Sequence, residues 1–261
     1  MIKVAIVKGT SSTGKGVRVS QLLEFLKTKF KHKNVRYVHN NKSRQLGILF
    51  PELGWVFIGR VVTSNKSGLA SWTSMDDLHA TTTKGEIARR IIKEEITDKG
   101  YSFVAEGEPL MASDKWRPLF MNEYYGAERF LFQYFHYAGD REAYDQRIIG
   151  RSGKAAGESG WHREKNYETE HLKVNDEFTS LGLHNAVCPV SGPAFWEDGD
   201  GRVSNNLLRK YDAPHWCWGV EFLSFNGLDD LVDEFVEHAK ANPLLREING
   251  ANPLAKTKRL W

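Results

Sequence analysis

At 261 residues, with 41% apolar and 26% charged side chains, the chain is long enough to bury a full core and has the balance of an ordinary globular protein. No apolar stretch approaches the ~20 residues that a membrane span requires. Two cysteines, Cys188 and Cys217, argue against a disulfide framework or a cysteine zinc cage and suit a reducing cytoplasm, while a net charge of +3 permits a polyanionic partner without demanding one.

The opening residues Met1-Ile2-Lys3-Val4 lack the layout of a signal peptide, so a cytoplasmic location is expected. Residues 2–7 are β-branched and apolar and predict a strand. The strand breaks into Gly9-Thr10-Ser11-Ser12-Thr13-Gly14-Lys15-Gly16-Val17, after which Leu22, Leu23, Phe25, Leu26 and Phe30 mark one apolar stripe of a helix over Lys15–Lys29. Such a glycine-bounded loop aims successive backbone N–H groups at a phosphate. The helix start adds its positive end and Lys15 its charge, so residues Gly9 to Val17 predict a nucleoside triphosphate site. The alternative is a Gly/Ser/Thr-rich surface turn beside an ordinary lysine. The spacing fits the phosphate-loop pattern through Lys15, but Gly16 stands where a hydroxyl usually holds Mg²⁺. The ion then needs another ligand, from Ser12, Thr13, Ser20 or an acid elsewhere.

A second strand is expected over 35–40, followed by an irregular stretch, 43–82, with short apolar pieces at 47–50 and 55–58. Thr83 and Glu86 have the spacing of a capping box opening a helix over 84–98, stopped by Gly100. The strand over 101–105 runs into Glu106-Gly107-Glu108. A nucleotide-hydrolysing or -transferring site needs an acid at the end of a second core strand, which makes Glu106 the metal or base candidate and Glu108 the reserve. A plain acidic turn is the other reading.

Next come a helix over 113–125, a strand over 129–137, a helix over 140–150, a Gly/Lys/Arg-rich loop over 151–165 and a helix over 166–181. A loop over 187–212, a strand over 217–225, an Asn226-Gly227 turn and a helix over 228–241 complete a single domain, 1–241, before a basic tail, 242–261. This alternation predicts an α/β fold: a largely parallel sheet sandwiched by helices, with ligands at the carboxyl ends of its strands. Arg147 and Arg151 are four apart and so share one helix face, either as a phosphate clamp or as part of a solvated basic surface.

The strand, loop and Gly14-Lys15-Gly16 resemble the nucleoside monophosphate kinase branch of the P-loop nucleotide and nucleoside kinases, where Gly-Lys-Gly-Thr often replaces Gly-Lys-Ser/Thr; here Val17 takes the place of the threonine. The resemblance implies ATP and Mg²⁺, an acceptor-binding insertion at 43–82 and a lid at 140–182. In that insertion Arg60 would meet a phosphate, Trp72 would stack on a base or plug the core, and Asp76 or Asp77 would take the acceptor's proton or cap the next helix. In the lid, Arg147 and Arg151 would clamp the donor phosphates. The implied catalytic set is Lys15, Glu106, Asp76, Asp77, Arg147 and Arg151.

Aromatic and basic residues interleave at Trp161-His162-Arg163, at Pro214-His215-Trp216-Cys217-Trp218, and in the tail, where Trp261 follows Lys256, Lys258 and Arg259. With the compact kinase core, these are similar to the phage kinases that phosphorylate 5-hydroxymethyluracil within DNA. The implied reaction moves the γ-phosphoryl of ATP to a nucleotide-like acceptor, with DNA as partner, in the cytoplasm of a phage-infected cell. A kinase of free (deoxy)nucleotides or nucleosides, and a nucleotide-dependent switch without transfer, are the competing readings.

Overall fold

A computed structural model describes residues 1–9, 15–59, 75, 78–79, 85–107, 110, 113–135, 141–152, 154–155, 157–182 and 217–241, with the backbone alone for Val17, Arg147 and Arg151 among the residues singled out above. Six strands form one sheet: β1 (Ile2–Gly9), β2 (Lys33–His39), β3 (Lys42–Phe50), β4 (Trp55–Ile58), β5 (Ser102–Glu106) and β6 (Ala127–Phe135), in the order β2-β3-β4-β5-β1-β6. β5 and β6 flank β1 in parallel and β4 joins β5 in parallel, while β3 alone runs against the others. The protein is thus an α/β fold with a mostly parallel sheet. The carboxyl ends of β1, β4, β5 and β6 open on one edge.

Side chains alternate across the pleat, so each strand feeds two cores. Ala5, Val7, Val104, Leu131 and Phe135 pack with Val19, Leu22, Leu23, Phe25 and Leu26 of α1 (Lys15–Lys29). The same core takes in α6 (Cys217–Phe225) and α7 (Val232–Ala241). Val4, Ile6, Phe103, Ala105, Phe130 and Phe132 pack on the other face with Ile91 and Ile92 of α2 (Glu86–Glu95) and Met121 and Tyr125 of α3 (Pro118–Tyr125). Val174 and Phe178 of α5 (Gly157–Ser180) complete that second core. α1 has the bounds its sequence predicts, because one apolar stripe leaves little freedom, while β1 starts where expected and runs on past residue 7 to Gly9.

Four sequence expectations are corrected. Residues 42–58 are the sheet strands β3 and β4 rather than an irregular stretch. Asn40 and Asn41, both at positive φ (48° and 60°), turn β2 back onto β3 as a two-residue hairpin. The helix expected over 84–98 is shorter: Gly85 in the left-handed region occupies the N-cap of α2 with no side-chain cap, and Thr83 lies outside the described residues. The loop expected over 151–165 is largely helical, since α4 (Arg141–Ser152) runs to Ser152 and α5 begins at Gly157. Residues 217–225 form helix α6, not a strand. A short apolar run buried on most sides has no period to separate the two. The expected Asn226-Gly227 turn is present, and with Gly227 at φ 69° and Leu228 N–H on the Leu223 carbonyl at 2.9 Å it closes the carboxyl end of α6. Asn226 then ties the layers together, accepting from Trp55 Nε1 at 2.9 Å and from Lys3 Nζ at 3.2 Å.

Gly47 shows how close the antiparallel strands approach. A Cβ there would sit 2.3 Å from the Phe57 carbonyl oxygen, a backbone atom that cannot swing aside. Gly47→Ala is expected to force β3 from β4 and cost about 1–3 kcal/mol, read as a lower urea midpoint with an unchanged slope.

Candidate active site

β1 and β5 leave the sheet through glycines whose backbone other residues rarely adopt, Gly9 at φ 145° and Gly107 at φ 157°. The chain then reaches α1, whose first turn holds no acid to offset its positive end. Lys15 opens that helix and is buried, as is Glu106, the last residue of β5. Glu106 is registered beside Val7, and Val7 faces α1, so Glu106 shares that face.

Gln133 of β6 lies in register on the other side of Val7 and donates from Nε2 to Glu221 Oε2 of α6 at 2.9 Å. Arg18, one turn into α1 and 1% exposed, stacks its guanidinium carbon 3.8 Å from the centre of the Phe135 ring. One face of the carboxyl edge therefore gathers Lys15, Arg18, Glu106, Gln133 and Glu221. Sequence reading found Lys15 and Glu106. Arg18 was legible from its i+3 spacing to Lys15, whereas Gln133 and Glu221 meet only through long-range packing.

On the opposite face sits Lys8, which sequence reading passed over. It is 3% exposed, donates from Nζ to the Trp116 carbonyl at 3.3 Å and lies 4.6 Å over the Phe132 ring. Burial pushes its pKa down to about 7; the positive Arg117 adds to this, and Glu177 and Glu170 oppose it. The folded protein therefore binds fewer protons than the unfolded chain between pH 7 and the ordinary lysine value of 10.5. Stability should rise with pH across that window, by about 1.4 kcal/mol per unit for this group, with the burial cost fully present below it. Urea midpoints of the protein and of Lys8→Met are expected to converge as pH rises from 7 to 10; parallel curves would show that the lysine stays charged in the fold.

Arg117 precedes Pro118 of α3 and reaches Glu170 Oε2 at 2.7 Å and Glu177 Oε1 at 3.4 Å, while Leu119 N–H donates to Glu177 Oε2 at 3.1 Å. These contacts bolt the carboxyl-terminal half of α5 to the core. Its amino-terminal half pairs instead with α4: Tyr144 and Trp161 rings lie 5.5 Å apart, and Arg141 bridges Asp145 at 2.8 Å and Glu158 at 3.1 Å. The segment expected as a lid is thus largely two helices that touch near their amino-terminal ends. Arg147 and Arg151 sit one turn apart on α4, and their side chains lie outside the described residues.

Thr10 to Gly14 (with Ser12 and Thr13), Arg60, Trp72, Asp76, Asp77 and Glu108 also lie outside the described residues. Among the described residues no group of three or more His, Cys, Asp or Glu side chains could hold a metal ion. A single carboxylate, Glu106, suits Mg²⁺, which keeps several waters and binds through one or two carboxylates plus substrate phosphates.

A family model described as "5-hmdU DNA kinase 2" matches residues 1–259. The chain belongs to that family. The 5-hmdU DNA kinase 2 of Salmonella phage ViI is 42% identical to it over 269 residues, covering 98% of this chain and 88% of the phage protein. The match to the 5-hmdU DNA kinase 2 family takes in β1, the loop to Lys15, helices α4 and α5 and nearly all of the basic tail. No described helix is long and apolar enough to cross a membrane.

Proposed function

We propose that this protein is a P-loop kinase that transfers the γ-phosphoryl group of ATP to the hydroxymethyl group of 5-hydroxymethyluracil in DNA. The observation that carries this reading is the full-length family match to proteins named as 5-hmdU DNA kinases, on a chain whose Lys15 and Glu106 flank the exit of its central strand. In this reading the N–H groups between Gly9 and Val17, with the start of α1, hold the donor phosphates, and Lys15 neutralises their charge. Arg18 and the Gln133–Glu221 pair brace that wall from below. Glu106 would hold Mg²⁺, directly or through water. Held there, it would supply positive charge to offset the negative charge that grows on the transferring group.

The acceptor oxygen attacks the γ-phosphorus, its bond to the β-phosphate oxygen breaks and ADP leaves. An acid takes the proton of the attacking hydroxyl; Asp76 and Asp77 are the candidates, with Glu106 as the alternative. Arg147 and Arg151, carried on α4, stabilise the equatorial oxygens as they gain charge. Arg60 and Trp72 hold the acceptor, by phosphate contact and base stacking.

The test offers radiolabelled ATP with Mg²⁺ together with DNA containing 5-hydroxymethyluracil, unmodified DNA and a panel of free nucleotides. Label is expected in the modified DNA alone. Label confined to mononucleotides would replace the DNA reading with that of a nucleotide kinase.

A further inference from the structure

Lys8 has no part in the reading above, yet it stands one residue before Gly9, at the edge where ligands of open α/β sheets bind. An ammonium carries three donors. Among the described residues one is met, by the Trp116 carbonyl, and the Phe132 face takes part of the charge. Among the described residues no carboxylate lies within salt-bridge distance of its Nζ, because the two acids nearby, Glu170 and Glu177, are already held by Arg117. A charge buried this deeply and left short of acceptors is costly, unless a ligand completes its shell.

Position says which ligand. Lys15 and Glu106 occupy the α1 face of the edge. Lys8 points to the other face, in register with Tyr134, above the core that includes α2 and the buried Met75 and Leu78. Met75 and Leu78 come from the stretch, 43–82, in which sequence reading expected the acceptor to bind. We propose that Lys8 is a second phosphate-binding lysine, which takes an anionic phosphate oxygen on the acceptor side of the sheet edge. The inference rests on the kinase reading, which places the donor phosphates on the α1 face.

The groups facing Lys8 among the described residues are Tyr134 from β6, Arg117 from the turn before α3, and Glu170 and Glu177 from α5. A bound phosphate would raise the lysine's affinity for its proton, so the free amine, dominant at pH 8, should take one up on binding.

Titration calorimetry at pH 8 in two buffers of different ionisation enthalpy measures that uptake. One arm uses a non-hydrolysable ATP analogue with Mg²⁺, the other a single-stranded oligonucleotide carrying one 5-hydroxymethyldeoxyuridine. Uptake approaching one proton is expected with the oligonucleotide and none with the analogue. Lys8→Met should abolish it and weaken oligonucleotide binding about 10- to 100-fold, as loss of a charge-assisted contact does. Lys8→Arg should restore affinity with no uptake, because arginine keeps its proton. Uptake with the analogue alone would move Lys8 to the donor phosphates and overturn the acceptor-side assignment. Binding of both ligands with no uptake, or equal uptake by Lys8→Met, would overturn the inference while leaving the kinase reading intact. Failure of the analogue to bind would sink the kinase reading, and this inference with it.

Discussion

Lys15→Ala is expected to lower phosphoryl transfer by about 10²- to 10³-fold, the scale on which removal of one well-placed donor from a transition-state oxyanion usually falls. Lys15 is the first residue of α1 and is 8% exposed, so its ammonium is held near the helix start rather than free in solvent. Its charge would count most where negative charge accumulates between the β- and γ-phosphates, so turnover should fall further than ATP affinity. Single-turnover rates with labelled ATP separate the two, and an unchanged thermal midpoint guards against simple unfolding. Transfer at the parental rate would remove the phosphate cradle from the mechanism.

Glu106→Gln is expected to be as severe, with a distinct signature. The amide keeps the shape of the side chain and its place beside Val7, but it loses the charge that would hold a divalent ion. A loss of about 10²- to 10³-fold in turnover at low Mg²⁺ is expected, with partial recovery as Mg²⁺ is raised. Arg18 and Lys15 lie on the same face, so removal of the negative charge also leaves buried cations less well balanced and should lower stability modestly. A loss of activity that no concentration of Mg²⁺ relieves would assign Glu106 to proton transfer instead of metal binding.

The parts of the fold legible in the sequence were those in which local pattern and tertiary need agree. β1 and β5 are short apolar runs that each lead into a glycine, α1 carries one clear apolar stripe, and Lys15–Lys29 appears in the structure with the bounds its sequence predicts. The misread parts were those in which a local signal has two meanings. The run from Cys217 to Phe225 is apolar at nearly every position, and only its burial between α1 and α7 settles it as a helix. Asn40-Asn41 passes for an ordinary polar pair until both residues are seen in the left-handed region that a tight hairpin requires. Residues 151–165 hold several glycines and read as loop, yet the Tyr144–Trp161 contact and the Arg141 bridges sustain helices on both sides.

The candidate site divides in the same way. Lys15 and Glu106 announce themselves through strand ends and glycines. Lys8 does not, since its character comes from Trp116 and Phe132, more than a hundred residues away in the chain. The Arg117–Glu170–Glu177 junction is similarly invisible in sequence, though it fixes the carboxyl-terminal half of the long helix α5.

The central claim is tested most directly by locating the new phosphate. An oligonucleotide with a single 5-hydroxymethyldeoxyuridine is incubated with the protein, ATP and Mg²⁺, digested to nucleosides without phosphatase treatment of the base substituent, and analysed by mass spectrometry. The account predicts a phosphorylated hydroxymethyl group on that one base, formed only with ATP and lost in Lys15→Ala. A phosphate found at the strand's 5′ terminus, or an unaltered oligonucleotide, would contradict it.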